Sequence, residues 1–123
     1  MLLVEDESLV AAVVQEALEE GGYAVRFVTS GTEALAAIDS DDTIAGVLTD
    51  IRLGAGPDGW EVARYAREKT PGIPVVYMTG DSAADHTSRG VPDSLVLQKP
   101  FVAAQVITAI STLLNQVPPP RPS

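Results

Sequence analysis

The chain has no cysteine and few basic residues, and each shortage excludes a class of function. Without cysteine there is no disulfide framework, no cysteine-based metal site and no thiolate nucleophile. The same absence fits a reducing cytoplasm, the expected location. Eight lysines and arginines stand against 17 aspartates and glutamates, a formal net charge of −9. A surface of that sign repels phosphate backbones, so direct nucleic-acid binding by this domain is not expected. No apolar run approaches the length of a membrane span, and no charged segment followed by an apolar one marks a secretory signal.

What is present suits one folded domain. The length is 123 residues and the apolar share is 46%, enough for a real core and too much for global disorder. Apolar strand-like runs alternate with helix-like segments five times. Val10, Val13, Val14, Ala17 and Leu18 mark one buried face of a helix over 8–20, stopped by Gly21-Gly22. A short strand is expected over 24–28. Ser30 to Glu33 reads as a capping box opening a helix through about Ile38. Residues 44–49 are nearly all apolar, as a central parallel strand requires. Asp58, with Glu61 three residues on, caps a helix to about Lys69. A fourth strand follows Pro74. Only a short helix is expected between residues 81 and 93, and the last helix runs over 101–115. Residues 116–123 read as a proline-rich tail or linker stub after a domain of residues 1–115. Five β-α units in series imply an α/β, doubly wound parallel sheet, whose ligands sit beyond the carboxyl ends of the strands.

Those strand ends carry the chemistry. Glu5 and Asp6 close the first strand, Asp50 the third, Thr79 the fourth and Lys99 the fifth. Two carboxylates about 4 Å apart repel by roughly 4 kcal/mol at an effective dielectric near 20, so a cation belongs among them. Magnesium suits such oxygen donors, and Lys99 adds a second positive charge. An ionised aspartate beside a metal, a lysine and a hydroxyl is equipped to attack a phosphoryl group.

At this point the residues resemble the receiver domain of two-component response regulators. The matching pieces are Val4-Glu5-Asp6-Glu7, Thr49-Asp50-Ile51-Arg52-Leu53, Asp58-Gly59, Met78-Thr79-Gly80 and Gln98-Lys99-Pro100-Phe101. The resemblance implies a flavodoxin-like sheet of order 2-1-3-4-5. It implies that Asp50 accepts phosphate from a histidine kinase or a histidine phosphotransfer protein, and that the domain signals to a downstream protein target. It further implies that Asp6, Asp50 and the Arg52 carbonyl bind magnesium, with Glu5 helping through water. Thr79 and Lys99 would contact the phosphate, and the Lys99-Pro100 bond would be cis. The chain would act as a phosphoacceptor, not as a turnover enzyme, either as a monomer or as a homodimer.

Three features depart from the family pattern. The loop from Asp50 to Asp58 is one residue longer than usual and rich in glycine. Val96 stands where a switch aromatic is common. The interval from Thr79 to Lys99 is short, in keeping with a reduced fourth helix, so an altered output route is expected. These departures leave a second reading, a receiver-like interaction module that is not phosphorylated. A metal-dependent phosphohydrolase is disfavoured, since Glu5-Asp6-Glu7 replaces the Asp-x-Asp expected there. Residues 54–59 match G-x-G-x-x-G, but after the wrong strand and with Asp58 where a pyrophosphate would lie. The single histidine, His86, reads as a solvated loop residue.

Overall fold

The computed structural model describes residues 1–81 and 83–114. The elements run β1 (Leu2–Val4), α1 (Ser8–Glu20), β2 (Arg26–Val28), α2 (Gly31–Ser40), β3 (Val47–Asp50) and α3 (Gly59–Lys69). Then come β4 (Val75–Thr79), a 3-10 turn (Ala83–Asp85), α4 (His86–Arg89), β5 (Leu95–Gln98) and α5 (Ala103–Leu114). The strands form one parallel sheet of order β2-β1-β3-β4-β5. This is the flavodoxin-like order that the motifs implied. The proline-rich tail expected over 116–123 lies outside the described residues.

Strand side chains alternate between faces, and here both faces are apolar. Leu2, Val4, Val47, Val75 and Tyr77 enter a core shared with Ala34, Ala37, Trp60, Val62 and Ala66 of α2 and α3. Leu3, Leu48, Val76 and Met78 enter a second core with Val14, Leu18, Val106 and Ile110 of α1 and α5. The near-continuous apolar run of the third strand is thus explained by helices on both sides.

Local signals account for most boundaries. Asp58 accepts the Glu61 N–H at 2.9 Å and opens α3. Ser30 accepts the Glu33 N–H at 3.1 Å, while the Glu33 carboxylate reaches the Thr29 hydroxyl at 2.7 Å. After α1, Gly22 takes a left-handed φ of +90°, which glycine adopts without a Cβ penalty. The third strand starts later than the apolar run suggested. Its first residue, Val47, donates to Pro74 O at 2.9 Å, and residues 44–46 precede it outside the strand. The fourth helix is short, as expected: a 3-10 turn and four helical residues. Beside it β5 is only half-buried, except for its exposed last residue, Gln98.

Candidate functional site

Three backbone bonds hold the carboxyl ends of the strands in register. Glu5 N–H donates to Val28 O at 3.2 Å, Ile51 N–H to Met78 O at 3.2 Å, and Lys99 N–H to Thr79 O at 2.7 Å. Glu5, Asp50, Thr79 and Lys99 therefore leave the sheet from fixed points along one edge. The Lys99-Pro100 peptide is cis.

Lys99 is the cationic centre of this edge. Its Nζ lies 3.1 Å from Glu5 Oε2, 3.3 Å from Asp50 Oδ2 and 3.7 Å from Glu7 Oε1. Glu5 is fully buried; its Oε1 accepts the N–H groups of Asp6 and Glu7, each at 3.1 Å. Its Oε2 faces Lys99 in an ion pair, but among the described residues no hydrogen-bond donor is aligned on it. Burial, and then the charge of Asp50, push the Glu5 carboxyl up to about 7, against the pull of the Glu7 N–H and Lys99. Burial works to lower the Lys99 pKa; the close ion pair with Glu5 and the charge of Asp50 outweigh it, and the net shift is upward.

One carboxylate oxygen from each of Glu5, Asp6, Glu7 and Asp50 lies within 4.8 Å of the others. Asp6 and Glu7 are exposed, whereas Glu5 and Asp50 are buried. Four clustered acids, three of them paired with one lysine, and a buried oxygen lacking an aligned donor fit a hard divalent cation. Thr79 is buried at the end of β4, and its Oγ1 accepts the Asp81 N–H at 3.2 Å. The Arg52 side chain is exposed and pairs with Asp81, Nη2 to Oδ2 at 2.9 Å. Asp6, Asp50, Thr79 and Lys99 line one open cavity, with Arg52 and Asp81 on its wall.

Every residue singled out in the sequence for this site is thus brought to one place. Two participants received no role from the sequence. Glu7 was visible as the third acid after the first strand. Asp81 had no local signal, because its partner Arg52 is 29 residues away and adjacent only through the pairing of β3 with β4. The reading of His86 as a solvated loop residue is corrected. It opens α4 half-buried, with Nε2 2.8 Å from Ser94 Oγ and its ring edge-on to Tyr77 at 5.7 Å. The Tyr77 hydroxyl in turn accepts the Val91 N–H at 3.0 Å, which draws this short segment onto the core. In the glycine-rich loop, the Asp58 carboxylate occupies the N-terminus of α3, where a dinucleotide phosphate would have to sit.

A doubly wound parallel sheet with acids, a hydroxyl and a lysine on its carboxyl edge defines a receiver-type signalling domain. The match to the response regulator receiver domain covers residues 1–111, and the chain belongs to that family. It is 35% identical to the transcriptional regulatory protein TcrA of Mycobacterium tuberculosis over 99% of this chain and 48% of TcrA. The chain spans about half the length of the curated relatives it matches. A response regulator receiver protein from Sinorhizobium medicae WSM419 is 47% identical, with a TM-score of 0.90 over 94% of this chain and 93% of that one. The receiver domain of a sensor histidine kinase from Pseudomonas aeruginosa PAO1 shares the fold at 23% identity. Its TM-score is 0.78 over 94% of this chain and 96% of that one, and its structure has magnesium coordinated in the active-site cleft.

Proposed function

We propose that this receiver takes a phosphoryl group onto Asp50 from a phosphohistidine of a histidine kinase or a histidine phosphotransfer protein. The observation that carries the reading is Asp50 Oδ2 held 3.3 Å from Lys99 on the wall of a cavity shared with Asp6 and Thr79. A carboxylate oxygen of Asp50 attacks phosphorus; the new O–P bond forms as the P–N bond breaks, and the imidazole leaves. Lys99 balances charge on the phosphoryl oxygens, and the Thr79 hydroxyl donates to one of them. Asp6, Asp50 and the Arg52 carbonyl would hold magnesium, with Glu5 acting through water. The ion supplies further neutralisation of the phosphoryl charge.

The domain is taken to span residues 1–115. It is a cytoplasmic phosphoacceptor, not a turnover enzyme. It passes its signal by conformational change to a protein target, with no nucleic-acid contact of its own. The excess of acidic over basic residues supports that last point. Incubation with acetyl phosphate and magnesium, followed by intact-mass measurement, tests the reading. One phosphoryl adduct is expected on the wild type and none on Asp50→Asn. An unlabelled wild type, or an equally labelled Asp50→Asn, overturns it and favours the non-phosphorylated interaction module.

A further inference from the structure

Arg52 and Asp81 form a bidentate ion pair on the rim of the site. Arg52 Nε lies 3.1 Å from Asp81 Oδ1, and Nη2 lies 2.9 Å from Oδ2. Arg52 belongs to the loop after β3 and Asp81 to the loop after β4, so the pair bridges two loops over the cavity that holds Asp50. Asp81 also engages Thr79: its N–H donates to Thr79 Oγ1 at 3.2 Å, and its Oδ1 lies 3.5 Å from the same hydroxyl. One residue thereby touches both the nearest exposed guanidinium and the buried hydroxyl of the site.

We infer that this pair is a latch exchanged on phosphorylation: Arg52 leaves Asp81 for the phosphoryl group on Asp50, and the Asp81 carboxylate gives up the Thr79 hydroxyl. The inference rests on Asp50 being the phosphoacceptor. Several observations support it. The Arg52 and Asp81 side chains are 74% and 56% exposed. An exposed pair biases its own equilibrium by about fivefold at most, so it is easily exchanged. A phosphoryl group offers three oxygens and up to about two negative charges, a better match for the planar guanidinium than one carboxylate. Lys99 is already engaged by Glu5, Glu7 and Asp50, so Arg52 is the cation on the cavity wall whose contacts can be redistributed at least cost. Asp81 lies just ahead of the 3-10 turn and α4, so its release is passed directly to that segment. Val96 has no ring to swing; an exchange of ion pairs in the preceding loop does not need one.

The test is a double-mutant cycle on the initial rate of labelling by acetyl phosphate with magnesium. Asp81→Asn, which frees Arg52, is expected to label about three- to fivefold faster than wild type. Asp81→Glu, which retains a carboxylate partner for Arg52, should label more slowly than Asp81→Asn. Arg52→Gln should label more slowly, and adding Asp81→Asn to it should change nothing further. Hydrogen exchange supplies a second readout. Beryllofluoride with magnesium should raise exchange over residues 83–94 in the wild type, and Asp81→Asn should show part of that rise without it. An equal effect of Asp81→Asn with and without Arg52, or none in either, overturns the latch alone. If no protein is labelled, the phosphoacceptor reading falls and the latch falls with it.

Discussion

Glu5 is a carboxylic acid withdrawn from water. It is fully buried beside Asp50 and Lys99, and its carboxyl titrates at about 7 instead of the ordinary 4.5. The sign of the consequence follows from proton binding. Between pH 4.5 and 7 the folded state holds a proton on Glu5 that the unfolded chain has lost. Stability from this group therefore declines as pH rises through that window. In metal-free protein, the urea midpoint of the wild type relative to Glu5→Gln should fall between pH 5 and pH 8. A difference independent of pH would show that Glu5 is ionised throughout, with Lys99 compensating it fully. At Lys99 the partners outweigh burial. Three carboxylates lie within 3.7 Å of its Nζ, and they hold its proton more tightly than water would.

Among the elements, the junction of β3 with α3 leaves no room for a side chain at Gly59. Gly59 N–H donates to Ile51 O at 2.8 Å, and a Cβ built on Gly59 would lie 2.2 Å from Asp50 O and 2.7 Å from Ile51 Cα. Both are backbone atoms and cannot swing aside. Gly59→Ala should therefore destabilise the fold by about 1–3 kcal/mol, the range for overpacking, and displace Asp50. Urea denaturation checks the first effect and acetyl phosphate labelling the second, where a reduced rate is expected. A neutral substitution in both assays would mean that α3 moves away freely. Much at this scale was legible in the sequence, because caps and periodicity are local: Ser30 and Asp58 both cap as their positions suggest. The surroundings of α4 were less legible than its length. Tyr77 lies beside Val96 across β4 and β5, and its hydroxyl holds Val91, so the segment of residues 86–94 is placed by a buried side chain of another element. His86 looked solvated because nothing within its own segment announces Tyr77 or Ser94.

The whole molecule carries a formal charge of −9, and part of that charge is gathered at one sheet edge. A divalent cation bound there should stabilise the fold by mass action, by about 2.7 kcal/mol at a hundred times its dissociation constant. Thermal unfolding with and without magnesium checks this. Asp6→Ala, at an exposed position, should leave the metal-free fold intact and abolish most of the gain. An undiminished gain in that variant would place the cation elsewhere. The sequence by itself determined the five β-α units, their parallel order through the receiver motifs, and the acids, hydroxyl and lysine that form the site. These follow from periodicity and from residues at strand ends, which are properties of short segments. Only the tertiary structure decided which charges meet: Lys99 among Glu5, Glu7 and Asp50, and Arg52 on Asp81 over Thr79. Those contacts join residues up to 94 positions apart, and pairing of the strands, not local propensity, brings them within reach of one another.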